Sequence, residues 1–260
     1  MFRPRVIPSL LLHDGGLVKT TKFRSPVYVG DPINTVRIFN EKEVDELVIY
    51  DIDATAEGRE PDYGKLSDIV SEAFMPICYG GGITGLNQIE KLFKLGVEKV
   101  SLSASLVGRE NPVADAVRSF GSQAVVATID YRRKALGGAR HVYIRNGKID
   151  AGIDVRELMK IVEDLGAGEI ILNSIDRDGT MKGYDLDFMK EASLLANVPV
   201  VALGGAGSME DVRTVIKDCG ASAAAAGSIF VFYGKRKAVL INYPDGETLN
   251  SILSGENHAS

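Results

Sequence analysis

Cysteine is scarce in this 260-residue chain, which has two cysteines and no tryptophan. Cys78 and Cys219 are far apart in the sequence and lie in apolar segments, which argues against a disulfide or a metal-binding pair. We therefore expect both to be reduced core residues of a cytoplasmic protein. No motif calls for a metal ion or a cofactor, and we expect neither.

The chain also lacks long apolar runs and a strong excess of charge of either sign. No stretch approaches the roughly 20 apolar residues of a membrane span, and Pro4 and Pro8 interrupt the amino-terminal segment, so we expect no signal peptide. The net charge is −5, with no extended basic run, which excludes nucleic acid and anionic membranes as expected partners.

Short apolar runs alternate with helical patterns, which predicts a parallel sheet covered by helices. The predicted strands are Arg5–Leu11, Glu46–Asp51, Met75–Tyr79, Lys99–Ser103, Ala124–Asp130, Glu169–Ser174, Val198–Leu203 and Ala221–Ala226. The predicted helices include Gly85–Leu95, Val155–Leu165, Asp187–Leu195 and Met209–Asp218. Eight strands in a chain of this length favour one closed (β/α)8 barrel, an α/β fold of about 250 residues.

An internal repeat divides the predicted barrel into two halves. Residues 45–55 echo residues 168–178, and residues 75–82 echo residues 198–205, both with a shift of 123 positions. Two shared motifs in the same order and phase indicate a duplicated half-barrel. We expect one domain over residues 1–260, with half-barrels at about 1–122 and 123–235 and a divergent carboxyl-terminal segment at 234–260.

Glycines follow the last two predicted strands, where functional groups lie in barrels of this type. The turns are Gly204-Gly205-Ala206-Gly207 and Gly227-Ser228. Their backbone N–H groups can approach an oxyanion because no Cβ intervenes. With Asp178-Gly179-Thr180 after the sixth strand, they predict a phosphate site. The alternative is that the glycines serve only the turns.

The corresponding turns of the first half are Gly80-Gly81-Gly82 and Ser103-Ala104. They have the glycines but only one hydroxyl. We therefore expect a second, poorer phosphate site at Gly82 and Ser103, and a phosphorylated small molecule as the ligand.

Longer motifs then resemble a known family. They include Asp14-Gly15, Val18-Lys19, Gly30-Asp31-Pro32, Phe120-Gly121-Ser122-Gln123, Ser174-Ile175-Asp176-Arg177-Asp178-Gly179-Thr180 and Gly204-Gly205-Ala206-Gly207. From about Arg3 to Phe230 the chain is similar to the HisF family, the cyclase subunit of imidazole glycerol phosphate synthase in histidine biosynthesis. The resemblance implies a TIM barrel that takes ammonia from a glutaminase, HisH, and passes it through the barrel. The resemblance also implies that the ammonia reacts with a ribulosyl bisphosphate at the opposite face of the barrel. The products there are imidazole glycerol phosphate and an aminoimidazole carboxamide ribotide.

In the HisF family two aspartates, at the ends of the first and fifth strands, act as general acid and base. Asp130 matches the fifth-strand position, but Leu11 stands at the first and cannot transfer a proton. Lys19 matches a functional loop lysine, and Ser103-Ala104 replaces an Asn-Thr pair of the family. The resemblance thus implies that cyclase (lyase) activity is weak or absent. On the residues alone, Asp130 could cap a loop and Lys19 could be solvated.

The amino-terminal ends of the strands carry four charged residues that match the ammonia gate of the family. They are Arg5, Glu46, Lys99 and Glu169. Two cations and two anions can pair with one another, which makes their burial tolerable. The alternative is a salt-bridge ring that only seals the barrel. Glu98 and Gln123 match positions where the family docks its glutaminase.

The carboxyl-terminal segment departs from HisF, which ends in an amphipathic helix. Residues 231–246, with the basic cluster Lys235-Arg236-Lys237 and a Pro-Asp-Gly turn, do not have a helical pattern. The segment resembles HisF-like proteins linked to amidation of bacterial surface-polysaccharide sugars, such as those of O-antigen and lipopolysaccharide. The cluster contacts a partner or an anion, or it is a solvated loop.

The resemblance therefore implies a HisF-like subunit that takes ammonia from a HisH-like glutaminase and delivers it to an ATP-dependent sugar amidotransferase. Two alternatives stay open. The chain is a genuine imidazole glycerol phosphate synthase cyclase, or it is a phosphosugar isomerase or a binding-only barrel.

Overall fold

The structure is a computed structural model that describes residues 3–108, 111–135, 138–234 and 236–254. In chain order the strands are β1 (Arg5–His13), β2 (Gly16–Thr21), β3 (Arg24–Gly30), β4 (Leu47–Asp51), β5 (Ile77–Gly80), β6 (Lys99–Leu102), β7 (Val125–Arg133), β8 (Arg140–Ile144), β9 (Ile149–Asp154), β10 (Glu169–Ser174), β11 (Val200–Leu203), β12 (Ala223–Ala226), β13 (Phe232–Tyr233) and β14 (Ala238–Val239). The helices are α1 (Pro32–Glu41), α2 (Ala54–Glu57), α3 (Tyr63–Ser71), α4 (Leu86–Lys94), α5 (Val113–Phe120), α6 (Val155–Asp164), α7 (Leu186–Leu195), α8 (Met209–Lys217), α9 (Ser228–Val231) and α10 (Gly246–Ser254).

Parallel strands form a closed ring in the order β1, β4, β5, β6, β7, β10, β11 and β12. Each strand pairs with the next, and β12 pairs with β1, so the ring of eight strands is closed. Helices connect successive strands because parallel strands need a crossover between them. Each of the eight predicted strands overlaps one of these, and the predicted (β/α)8 fold is confirmed.

Two barrel strands continue beyond the ring as antiparallel hairpins, which the sequence analysis missed. Strand β1 pairs with β2, which pairs with β3, and β7 pairs with β8, which pairs with β9. The Lys22 N–H donates to the Asp178 carbonyl (2.9 Å), and Asn146 Nδ2 donates to the Ile52 carbonyl (2.7 Å). Each hairpin thus reaches the half of the barrel that it does not belong to.

The register of the strands repeats between the two halves. Leu47 pairs with Ile77 in β4 and β5, and Ile170 pairs with Val200 in β10 and β11, 123 positions later. Ring positions in one half therefore have identifiable counterparts in the other. This register supports the inference of two duplicated half-barrels.

Helix α8 shows how local sequence fixes the layer outside the ring. Ser208 accepts from the Asp211 N–H, and Asp211 in turn accepts from the Ser208 N–H, which caps the first turn. The helix buries Val212, Val215 and Ile216, a spacing that places all three on one face. The predicted Asp154 cap of α6 is also confirmed, since its side chain accepts from the Arg156 N–H.

The carboxyl-terminal segment begins without helical structure, as predicted, but it ends in a helix that was not predicted. Strands β13 and β14 form a short hairpin, and Lys235 of the basic cluster lies outside the described residues. Tyr243 then donates to the Val6 carbonyl (2.8 Å), and α10 packs beside α8. The sequence analysis missed this terminal helix. Within the described part of the chain, each helix is too short or too polar to cross a bilayer.

Candidate functional site

A cavity of about 470 Å³ opens at the carboxyl end of the barrel. All eight ring strands contribute to its wall, and Phe23 and Ile144 of the two hairpins line it from above. The cavity brings together the site residues that the sequence predicted for this end, namely Leu11, Lys19, Gly82, Ser103, Asp130, Asp178, Gly179, Gly205, Gly227 and Ser228.

Asp130 is held in the cavity wall by neighbouring strands. Its carboxylate accepts from Asn173 Nδ2 (2.8 Å) and from Ser103 Oγ (3.4 Å). Burial raises the pKa of Asp130 to about 7, although these hydrogen bonds lower it. Near neutral pH the group is present both as acid and as carboxylate, which suits proton transfer. Both bonds come from side chains, Asn173 on β10 and Ser103 just after β6.

Leu11 occupies the counterpart of Asp130 in the first half. Leu11 pairs with Tyr50, and Asp130 pairs with Asn173, which is 123 positions beyond Tyr50. The same strand position therefore presents a carboxyl on one side of the cavity and an alkyl group on the other.

The other described carboxyls at the cavity do not replace the missing acid. Asp51 forms a two-point ion pair with Arg59 (2.9 and 3.0 Å). Asp178 Oδ2 accepts from Thr20 Oγ1 (2.8 Å), and Glu60 is exposed. Among the described residues that line the cavity, Asp130 is thus the one carboxyl suited to move a proton at the end of a ring strand.

Lys19 is buried beside the second-half turn, so the solvated alternative is wrong. The side chain is 6% exposed, and its Nζ donates to the Ser9 carbonyl (3.0 Å). Burial lowers the pKa of Lys19 to about 8, although the nearby Asp178 carboxylate raises it. At pH 7 the side chain therefore places a positive charge in the cavity, next to Gly227.

The turns of the second half leave room for a ligand only because they lack side chains. Gly205 has a φ of +116°, and a Cβ there would overlap the Gly183 carbonyl. A Cβ on Gly227 would overlap Lys19 Nζ. Ser228 is buried at the next position. A buried ammonium, a hydroxyl and glycine backbone suit an oxyanion.

The turns of the first half have fewer free donors. The Gly82 N–H donates to Thr55 Oγ1 (3.2 Å), and Ser103 Oγ donates to Asp130. Ala104 supplies no hydroxyl where the second half has Ser228. At these positions the first-half turns resemble the second-half turns in backbone but have fewer free donors, although the next residue, Ser105, brings a buried hydroxyl without a described partner to the cavity.

At the opposite end of the barrel the four predicted charged residues form a closed ring, which we call the floor ring (Arg5, Glu46, Lys99 and Glu169). Arg5 bonds to Glu46 and to Glu169 (3.0 Å), and Lys99 bonds to Glu46 (2.8 Å) and to Glu169 (3.3 Å). Each carboxylate contacts both cations, so the ring is internally neutral. Glu98 and Gln123 are exposed at the same end.

Between the floor ring and the cavity lies the inside of the barrel, which we call the bore. Its lower part is apolar and includes Ile7, Val48, Cys78, Val126, Ile171, Val201 and Ala223. Above them, Tyr50 and Ser101 both bond to Thr128. The sequence analysis missed Tyr50, Thr128 and Asn173 as site residues. The available signal was spacing, since Tyr50 is two and four positions beyond the inward residues Val48 and Glu46.

These features define a class of protein, a (β/α)8 barrel with a cavity at the carboxyl ends of its strands and a paired charged ring at the other end. The model of the histidine biosynthesis protein family matches residues 5–237. A Pseudomonas aeruginosa protein provisionally named imidazole glycerol phosphate synthase subunit hisF2 is 50% identical over 96% of this chain and 99% of its own length. A Leptospira borgpetersenii protein provisionally named subunit HisF of that synthase is 47% identical over 97% and 100%. Subunit HisF of Streptococcus mutans is 39% identical over 90% and 93%. The chain belongs to the HisF family.

Proposed function

We propose that this chain is a HisF-like subunit of a glutamine amidotransferase system in the cytoplasm. It takes ammonia from a HisH-like glutaminase at the floor ring and passes it through the bore to the cavity. From there the ammonia serves an ATP-dependent amidotransferase that amidates a bacterial surface-polysaccharide sugar. The observation that carries the proposal is that the floor ring is complete, whereas Leu11 stands where the cavity would need the second proton-transfer group.

The floor ring favours a conduit over a plain seal. Each charge in the floor ring has two partners of opposite charge. One pair can therefore separate to let a small neutral molecule pass, while every charge keeps a partner. Exposed side chains surround it for a partner to cover. Glu98 and Gln123 are exposed, and Phe74, just before β5, is 92% exposed. A large exposed aromatic side chain at this end suits a glutaminase interface.

In the cavity we assign anion binding chiefly to the second half. The donors are Lys19, the backbone at Gly205 and Gly227, and the Ser228 hydroxyl. Gly179 comes close to Thr20 because it has no side chain, and Asp178 holds that same strand through its carboxylate. Asp178 thus positions the binding groups. Gly82 and Ser103 form the weaker first-half site, since their donors already have partners.

The relatives fall into two groups by their identity to this chain. Identity is 46–50% with proteins provisionally named as HisF subunits, two of them numbered hisF2 and hisF3. It is 38–39% with proteins named HisF without that qualification. The chain is thus nearer to the provisionally named subunits, numbered or not, than to these other HisF proteins.

Deleting the gene in its native host tests the proposal. We expect the deletion strain to grow without histidine and to lose an amidated sugar from its surface polysaccharide, measured by mass spectrometry of the released glycan. The unmodified gene should restore that sugar. A Glu46→Ala gene should restore it only when ammonium is abundant, and a Lys19→Met gene should fail even then. A strain that needs histidine and makes normal polysaccharide would refute the proposal.

One observation favours a second candidate, a working cyclase. Asp130 has a pKa of about 7 and retains its Asn173 partner, so half of the acid–base pair is intact. The test is turnover of the ribulosyl bisphosphate with ammonium salt. The cyclase candidate requires turnover that falls steeply in Asp130→Asn, and our proposal requires no such turnover.

A further inference from the structure

Tyr50 lies where the bore meets the cavity. On β4 the inward side chains are Glu46 in the floor ring, then Val48 in the apolar lower bore, then Tyr50. Tyr50 both lines the cavity and packs against the apolar cluster below it. A molecule that moves from the bore into the cavity must therefore pass the aromatic ring of Tyr50.

The Tyr50 side chain crosses the bore. Its hydroxyl lies 2.9 Å from Thr128 Oγ1 on β7, and β5 and β6 separate β4 from β7 in the ring of strands. Ser101 Oγ on β6 lies 2.6 Å from the same Thr128 oxygen. The aromatic ring thus spans a chord of the barrel and is fixed at its far end by a hydroxyl cluster (Tyr50, Ser101 and Thr128).

Small neighbours make room for this arrangement. Gly80 pairs with Tyr50, and a Cβ on Gly80 would lie 3.0 Å from the Tyr50 ring. Ser101 follows on the next strand, paired with Gly80. Tyr50 fills the space that the small residues Gly80 and Ser101 leave open. Closure of the upper end of the bore therefore depends on the Tyr50 side chain.

We propose that Tyr50 is an inner gate that closes the bore beneath the cavity and opens when its hydroxyl leaves Thr128. The inference rests on the proposed conduit function and names the residue that separates the bore from the cavity. A neutral amine or water molecule can hydrogen-bond to the hydroxyl cluster as it passes. Burial raises the pKa of Tyr50, so the hydroxyl stays neutral and does not hold a cation.

Cys78 provides a test that needs neither glutaminase nor substrate. It is fully buried in the lower bore, below Tyr50, and burial raises the pKa of its thiol. In a Cys219→Ser background we would follow methylthiolation of Cys78 by methyl methanethiosulfonate at pH 8, using mass spectrometry. We expect Tyr50→Ala to speed labelling at least tenfold. Tyr50→Phe, which keeps the aromatic ring but loses its bond to Thr128, should speed it about threefold.

Tyr131→Ala is the matched control. Tyr131 is 1% exposed, so its removal disturbs the core at least as much as removal of the partly buried Tyr50. It packs outward, edge-on to Phe188, so Tyr131→Ala should leave Cys78 labelling at the parent rate. If Tyr50→Ala does not fold, Tyr50→Leu replaces it, with an expected rise of at least threefold. Labelling that is unchanged in the Tyr50 variants, or that rises as much in Tyr131→Ala, overturns the gate. The result is independent of the conduit function, which the deletion strain tests separately.

Discussion

The floor ring and the cavity lie at opposite ends of the same strands and differ in symmetry. At the floor, β1, β4, β6 and β10 each supply one charge, and every charge is paired. At the cavity, equivalent strand positions carry Leu11 on one side and Asp130 on the other. The backbone register is the same in both halves, so the difference lies in side chains alone.

This comparison shows which functions a duplicated barrel can lose without losing its fold. The inward side chains at the strand ends contribute little to the buried apolar core, so Leu11 and Ala104 can replace polar groups at small cost to stability. The floor ring has less freedom, because removing one carboxylate leaves Arg5 and Lys99 to share the other. A complete floor ring below a cavity that has Leu11 opposite Asp130 is the arrangement that our proposal of ammonia passage without cyclase chemistry expects.

The largest expected effect is on stability, from Asp130→Asn. The folded-state pKa of about 7 lies above that of an exposed aspartate, so ionised Asp130 destabilises the fold increasingly as pH rises towards 7. The asparagine variant should therefore be more stable, and its advantage should grow by about 2 kcal/mol between pH 5 and pH 8. Urea unfolding at both pH values measures this.

Asp68→Asn is the control for that experiment, because Asp68 is exposed on α3. Its stability change should vary little with pH. An Asp130→Asn advantage that does not change with pH would show that Asp130 is ionised throughout, and the two sides of the cavity would then differ less than we infer.

Lys19→Met should weaken anion binding by about 10–100-fold, because it removes a buried charged donor. Sulfate is a suitable probe, since its charge is constant from pH 7 to pH 9. The pKa of Lys19 is about 8, so its side chain loses its proton over that range. The sulfate affinity of the parent should fall accordingly, and that of Lys19→Met should not. Calorimetry with exposed Lys42→Met as control measures both. Equal sulfate binding by Lys19→Met and the parent would contradict the assignment.

Glu46→Ala should leave the fold intact and separate glutamine use from product formation. It removes the carboxylate that joins Arg5 to Lys99, so ammonia should leak at the floor. We expect about tenfold less amidated product per glutamate formed in the complex with glutaminase. Ammonium salt should restore the product. Exposed Glu41→Ala is the control, and unchanged coupling in Glu46→Ala would mean that the floor ring only seals the barrel.

The smallest expected effect is that of Leu11→Asp on cyclase turnover. The new carboxyl restores the first-half acid, but Ala104 still supplies no hydroxyl and the Gly82 N–H still has Thr55 as partner. We expect less than about a tenfold gain, from a low starting value, in the cyclase assay with ammonium salt. Full recovery from this single change would show that Leu11 alone separates this chain from a cyclase.

The fold was predictable because the two halves repeat each other. Strands that are buried on both faces, such as Glu169–Ser174, stand out as apolar runs, and the 123-residue shift fixes their phase. The hairpins were not predictable in this way. Strand β3 is mostly exposed, so its pattern has no buried face, and its turn uses positive φ at Lys22 and Phe23 without glycine.

The placement of candidate site residues was predictable at the glycine turns from residue type, and at Asp130 and the floor ring from the family resemblance. It was not predictable where burial decides, because neither the burial of Lys19 nor the reach of Tyr50 across the bore is visible in the sequence. Helix α10 had a local signal that was interpreted as a turn. Asp245 caps it by accepting from the Thr248 N–H (2.7 Å), and Leu249 and Leu253 form its buried face.

The most direct test measures both ends of the barrel in one reaction. The chain is mixed with its glutaminase, glutamine and the ribulosyl bisphosphate, and glutamate and imidazole glycerol phosphate are quantified together. We predict a stable complex that releases glutamate with almost no imidazole glycerol phosphate. Imidazole glycerol phosphate formed in equal amount to glutamate would contradict the account, because it would require a complete proton-transfer pair in a cavity where Leu11 faces Asp130.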